Sequence, residues 1–433
     1  MRTGIIIALL AVMTPLAYAY RTPQVAPDGR VTFTLHLDDE DIDEVHVIGS
    51  FNKNKSLLGS GLFSRQRKLE MERVGKEEEG NWRTVTEALP SDFYTYSFEL
   101  DDDDENVIMD PMNPDKVRDI ADSLSWFIVP GGMGDNFADR DVPHGKLETV
   151  WYPSQLPGME KRRMKVYLPP DYSDNTTRRY PVLYLLHGSG GDEDAWSGCG
   201  RVVQILDNMI SDGRCRPMVV VMPNGNVDLR SAPGSDPRNP DVKPSAKNLN
   251  SMMGGFESTF FQDVVSYVES RYRVKTDKKS RAVAGLSLGA LHSMFLAMNN
   301  PDAFDYVGLF SPQTVNGVNT KHGGKVKGLI ESVTSVKDDF RGLFGKSTGG
   351  TPRDFTIYEN MDKKLADEFS NPPALYYIAI GSDDSLKGMT DEYRRLLDRN
   401  GYRYVYNESE GDHTWQNWRR YLVDFLPRLF VAH

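Results

Sequence analysis

Gly285-Leu286-Ser287-Leu288-Gly289 stands between an apolar run, Ala282-Val283-Ala284, and an amphipathic run from Ala290 to Asn299. This order reads as strand, cramped turn and helix, with a serine held at the end of a parallel strand. The flanking glycines let the strand and helix backbones pass where a Cβ would collide. Ser287 then falls at a helix N-terminus, where unpaired N–H groups and the helix dipole favour negative charge. The same five residues also describe a turn of small residues with a solvated serine. What separates the two readings is whether the rest of the chain supplies a base, an acid and an oxyanion hole.

From Leu147 onward, strand-like and helix-like runs alternate. The strand candidates are Met164–Leu168, Val182–Leu186, Met218–Met222, Arg281–Leu286, Tyr306–Phe310, Leu375–Ile380 and Arg403–Tyr406. Several are continuous apolar runs, as expected of strands covered on both faces. Phe261–Arg271 and Trp415–Phe430 carry apolar residues at helical spacing. The pattern predicts a doubly wound α/β domain. Two polar segments, Asn226 to Gly255 and Val315 to about Phe369, interrupt the alternation after strand ends on the side where such sheets bind substrates. They are candidate pocket walls.

The chain of 433 residues exceeds one compact core. Residues 1–19 read as an export leader: Arg2, an apolar core from Ile5 to Met13, and Ala17-Tyr18-Ala19 as cleavage signal. No apolar run is long enough to span a bilayer, so a protein exported to the periplasm or medium, without membrane insertion, is expected. Residues 20–125 show short alternating runs (Val31 to Leu37, Val45 to Ile48, Asn81 to Val85, Tyr94 to Leu100) between turn residues, the pattern of a β-sandwich. Asp110-Pro111-Met112-Asn113-Pro114 closes that domain with turn chemistry. Trp82, Tyr94, Tyr96 and Trp126 offer either sugar-stacking faces or core packing. The acids from Asp101 to Glu105 read as a solvated hairpin tip rather than a calcium loop. Residues 126–145 are assigned to a glycine-rich linker, and 146–433 to the α/β domain. A formal charge of -11 argues against nucleic acid and anionic membrane surfaces as partners. Cys199 and Cys215 flank a helical run, Val202 to Ser211, that separates them unless both loops fold back; whether they pair is left open. No zinc site is indicated.

A serine needs a base, and the base an orienting acid, in the chain order Ser, Asp/Glu, His for an α/β-hydrolase. Downstream of Ser287 stand His292, His322, His413 and His433. His292 lies one turn into the helix behind the elbow, His322 in a polar insertion and His433 at the last position. His413, in Glu410-Gly411-Asp412-His413-Thr414 between the last strand and the last helix, occupies the position the base requires. Leu375–Ile380 runs into Gly381-Ser382-Asp383-Asp384-Ser385, where Asp383 and Asp384 both qualify as the acid. For the oxyanion hole, the N–H of Leu288 supplies one donor. The glycine turn His187-Gly188-Ser189-Gly190-Gly191 supplies the other, assigned to the Ser189 N–H.

With these parts in place, the second half resembles the esterase family that contains feruloyl and acetyl-xylan esterases (carbohydrate esterase family 1) and enterochelin esterases. The resemblance rests on Tyr180 to Gly188, Met222-Pro223-Asn224-Gly225, Ala284 to Gly289, and Gly411-Asp412-His413-Thr414-Trp415 with Trp418-Arg419. The family's acid is the last Asp of Gly-x-x-Asp-Ser-Leu, which matches Gly381 to Leu386 and selects Asp384. The resemblance implies an α/β-hydrolase fold and a Ser287–Asp384–His413 serine esterase that needs no metal or organic cofactor. Its substrates would be feruloyl or related esters, or acetyl groups, on plant cell-wall xylan; a siderophore lactone is the alternative. Trp196 and Trp415 are candidate contacts for an acyl ring, with packing of the elbow loops as the other reading. The first domain looks like the immunoglobulin-like early-set modules related to the starch-binding type, on Pro27 to Phe33, Gly80-Asn81-Trp82 and Asp110 to Pro114.

Overall fold

The computed structural model describes residues 22–37, 41–51, 68–75, 80–103, 106–120, 122–156, 159–227, 254–312 and 355–431. The leader, most of both polar insertions, His322 and His433 lie outside the described residues. The described residues fall into two compact units. One holds the chain up to Val117 and Ser123–Asp135; the other holds Arg118–Asp122 and the chain from Asn136 onward.

The first unit is built from short strands: β1 (Gln24–Val25), β2 (Val31–His36), β3 (Val45–Gly49), β4 (Leu69–Glu70), β5 (Glu72–Arg73), β6 (Asn81–Val85), β7 (Asp92–Leu100), β8 (Val107–Ile108), β9 (Lys116–Asp119) and β10 (Asp122–Val129), with Arg118, Asp119 and Asp122 at the ends of the last two grouped with the second unit. They form two antiparallel sheets, ordered β1-β2-β6-β5 and β4-β3-β7-β10-β9, with β8 paired to β7. The alternation seen in the sequence turns Val31, Phe33 and Leu35 from one sheet, and Val45, Val47, Tyr96 and Phe127 from the other, into one core. Trp82, Tyr94 and Tyr96 are core residues, so none presents a sugar-stacking face; Trp126 stacks on Phe93 with ring centroids 5.1 Å apart. In the acidic run, Asp102 and the neighbouring Glu99 ion-pair with Lys68. The linker expected from residue 126 starts later. Residues 126–129 complete β10, because Phe127 and Val129 point into the core while Trp126 and Ile128 alternate outward.

The second unit carries an eight-stranded sheet ordered β11-β12-β14-β13-β15-β16-β17-β18. Its strands are β11 (Lys146–Pro153), β12 (Lys161–Leu168), β13 (Val182–Leu186), β14 (Val219–Pro223), β15 (Arg281–Leu286), β16 (Tyr306–Phe310), β17 (Leu375–Gly381) and β18 (Val405–Ser409). β11, β12 and β14 pair antiparallel. From β14 to β18 every neighbour is parallel. The helices are α1 (Val202–Ser211), α2 (Gly255–Phe260), α3 (Ser266–Arg271), α4 (Leu288–Asn299), α5 (Met361–Ser370), α6 (Lys387–Arg399) and α7 (Trp415–Phe425). The helical run expected over 261–271 begins six residues earlier, at Gly255, and passes through a π-helical turn, Phe261–Val265. The last helix stops at Phe425 and tightens to a 3-10 turn, Leu426–Arg428. Pro427 has no N–H for a further helical bond.

The register aligns the carboxyl ends of the parallel strands. Leu186 faces Gly285, Leu286 faces Phe310, Phe310 faces Ala379, and Gly381 faces Ser409. Loops that leave these strands therefore emerge along one edge, where doubly wound sheets hold their sites.

Candidate active site

β15 delivers Ser287 with φ 52° and ψ -116°, a backbone that L side chains rarely adopt. Three hydrogen bonds hold it there. Its N–H donates to Phe310 O (2.9 Å), and its carbonyl accepts from Ala290 and Leu291 at 3.1 and 3.2 Å. The flanking glycines are sterically required. A Cβ on Gly285 would lie 2.4 Å from the Gly289 carbonyl, and one on Gly289 would lie 2.4 Å from His187 O. Between Ala282 and Met298 only Ser287 escapes burial. The turn thus lifts one side chain out of an otherwise sealed strand and helix.

The glycine loop after β13 lies against this serine. A Cβ on Gly188 would sit 3.3 Å from Ser287 Cβ. Gly191 N–H closes the turn onto Gly188 O (3.2 Å), and Gly190 takes φ +77°. His187 fixes the loop from beneath. Its Nδ1–H donates to Gly188 O and its Nε2 accepts from Gly225 N–H, both at 2.8 Å. Burial pushes this imidazole down to about 4, which keeps it neutral and able to accept. Leu288 opens α4, so its N–H has no carbonyl within the helix to reach.

β17 ends in the turn that carries Asp383 and Asp384. Asp383 is exposed, whereas Asp384 points inward with a fully buried carboxylate. His413, on the loop from β18 to α7, donates from Nδ1 to Asp384 Oδ2 at 2.9 Å, with Oδ1 at 3.1 Å. The two loops are stitched together by Asp383 N–H to Gly411 O (3.0 Å). A Cβ on Gly381 would meet Gly411 O at 2.1 Å. Burial raises the Asp384 carboxyl, but hydrogen bonds from His413, Leu386 N–H and Ser311 outweigh it and leave the group below the usual carboxylate range. Asp384 is therefore ionised and orients the imidazole. His292, in contrast, is buried behind the elbow, tilted against Phe256.

Ser311 received no role from the sequence. It follows β16, takes φ +47° and is fully buried. Besides binding Asp384, its Oγ accepts from Trp418 Nε1 (3.1 Å), and the Trp418 ring lies edge-on to His413 at 5.0 Å. A serine directly after an apolar parallel strand was the available signal. Trp196 is 1% exposed, donates to Leu186 O and packs edge-on against Phe310 and Trp415. It has no face to give an acyl ring, and the packing reading replaces the substrate contact. Trp415 is half-buried, with its ring edges on Trp196 and Trp418. Cys199 and Cys215 are buried free thiols.

The Esterase family's sequence profile matches residues 159–429. An endo-1,4-beta-xylanase/feruloyl esterase of Xylanibacter ruminicola is 28% identical over 312 residues, 67% of this chain and 40% of its own length. Endo-1,4-beta-xylanase Y of Acetivibrio thermocellus is 24% identical over 62% of this chain and 22% of its own length. The chain thus spans less than half of either relative. Two solved structures share the fold. A ferulic acid esterase from Anaeromyces mucronatus, in complex with ferulic acid, superposes with TM-score 0.51 at 22% identity, over 68% of this chain and 93% of its own. The enterobactin esterase of Shigella flexneri does so with TM-score 0.58 at 14% identity, over 93% of both chains. The eight-stranded mixed sheet is accordingly an α/β-hydrolase sheet.

Proposed function

The chain belongs to the Esterase family, and we propose that it is an exported serine carboxylic ester hydrolase of plant cell-wall polysaccharide esters, with feruloyl groups on xylan as the preferred substrate. The observation that carries this reading is the convergence at one sheet edge. Ser287 is raised on a strained elbow, Gly188 packs against its Cβ, and a buried Asp384 is hydrogen-bonded to His413. The feruloyl preference draws on the family and on the xylanase/feruloyl esterase relative.

His413 Nε2 takes the proton of Ser287 Oγ as the oxygen attacks the ester carbon. Asp384 holds Nδ1–H and stabilises the imidazolium that forms. The carbonyl oxygen becomes an alkoxide facing the N–H groups of Leu288 and Ser189; one such donor is worth about 2.7–4 kcal/mol in the transition state. Collapse expels the sugar alcohol, which takes the proton from His413. Water activated by the same imidazole then releases the acid and restores Ser287 Oγ–H.

The test is turnover of 4-nitrophenyl acetate by the full chain against a Ser287→Ala control. Equal rates would leave a glycan-binding protein with an inactive hydrolase fold. Methyl ferulate, acetylated xylan and a siderophore lactone, ranked by kcat/KM, separate the substrate classes. The lactone belongs in that set because the likeness to the enterobactin esterase runs along nearly the whole of both chains.

A further inference from the structure

Arg118 and Asp119, the last two residues of β9, are grouped with the second unit, although they lie far from the catalytic loops in sequence. Their two side chains reach two different loops of the site. Arg118 Nη2 lies 2.8 and 2.7 Å from the two oxygens of Asp192, and 3.5 Å from Asp194 Oδ2. Asp192 is 7% exposed and directly follows the glycine turn 188–191. The next residue, Asp119, accepts the indole N–H of Trp415 on Oδ1 at 3.0 Å. Trp415 is two residues from His413, and its ring meets Trp418, which meets His413 in turn. The Cys199 thiol adds a weak contact to Arg118 O at 3.6 Å. The oxyanion loop and the base loop are thus each tied to one of two consecutive residues, so a trans peptide fixes the spacing of their anchors.

We propose that Arg118 and Asp119 are positioning residues, which hold the oxyanion loop and the His413 loop in register for attack on the ester. The proposal rests on the serine-esterase reading. Neither residue touches the substrate. Each acts through geometry, to which ester attack is sensitive: a displacement of about 1 Å can cost about a hundredfold in rate. Removing Asp119 leaves the Trp415 indole N–H without its acceptor, and removing Arg118 leaves Asp192 a buried charge without its guanidinium.

The experiment measures kcat and KM on 4-nitrophenyl acetate, with melting temperature as the folding control, for Arg118→Ala, Asp119→Ala, Asp119→Asn and Trp415→Phe in the full chain. Asp119→Ala and Trp415→Phe break the same bond from opposite sides. Each is expected to lower kcat about tenfold or more with KM within about threefold. Combined, they should be no worse than either alone. Asp119→Asn keeps an acceptor oxygen and should recover most of the loss. If Arg118→Ala fails to fold, the other three variants carry the test. The proposal is overturned if folded Asp119→Ala and Trp415→Phe keep kcat within about twofold of wild type, or if asparagine serves no better than alanine. The Trp415 indole resonance in an 15N-labelled sample gives a readout independent of turnover. It should move upfield in Asp119→Ala, and an unmoved signal also overturns the clamp. A wild-type chain no faster than Ser287→Ala would instead sink the esterase reading, leaving the indole signal to decide the bond.

Discussion

Among the buried carboxyl groups of the second unit, Asp384 and Glu368 are driven in opposite directions by their surroundings. Asp384 receives hydrogen bonds and stays ionised. Glu368 lies on the inward stripe of α5 with Met361 and Leu365, and its oxygens find no partner among the described residues. Burial pushes it up from 4.5 to about 8. The fold therefore prefers the protonated acid, whereas the unfolded chain ionises near its ordinary value. The stability this contributes is complete below pH 4.5 and is lost as pH rises towards 8. Glu368→Gln removes the titration. Its unfolding free energy relative to wild type should climb across that window by an amount on the order of 5 kcal/mol, measured by urea unfolding at a series of pH values, and parallel curves would refute the assignment. Spacing alone left Asp383 and Asp384 equivalent, and only the Gly-x-x-Asp-Ser-Leu resemblance singled out Asp384; the turn after β17 sends Asp383 outward and Asp384 inward. Glu368 reads as an ordinary polar position, because its burial comes from what packs over α5.

At the scale of elements, legibility followed burial. The parallel strands from β13 to β17 were visible because both faces are covered and the runs are apolar throughout. β11 was missed. It lies at the sheet edge, seven of its eight residues are not buried, and Lys146-Leu147-Glu148-Thr149 carries no strand signature. β18 begins two residues later than expected for a related reason, its exposed edge giving no sharp apolar boundary. The elbow glycines were read for the right reason, and the clearances make that reading quantitative. Gly289→Ala would push a methyl to within 2.4 Å of His187 O and 2.5 Å of Leu186 O. Backbone cannot yield there as a side-chain tip could. A loss of about 3 kcal/mol or more is expected, checked by urea unfolding, while the exposed Gly213→Ala pays only for its positive φ.

Among the described residues, apolar cores in both units hold the molecule, and no disulfide does. Cys199 and Cys215 are both buried; burial pushes the Cys215 thiol up to about 12 and raises the Cys199 thiol well above the ordinary range. Neither is a thiolate at neutral pH, so neither is poised to react. A thiol reagent should label neither cysteine in the native chain and both in denaturant, and dithiothreitol should leave the melting temperature unchanged. A reagent-accessible thiol in the folded protein would contradict this arrangement. The position of Ser287 bears on that melting temperature as well. At φ 52° an L residue costs about 1–3 kcal/mol, and glycine at the same place does not. Ser287→Gly should thus be inactive yet melt higher than the natural chain, by about 2 °C. On the esterase reading proposed above, the chain keeps, where bonds are made and broken, a residue its own folding would discard, and a calorimeter could locate the nucleophile without any substrate in the cell.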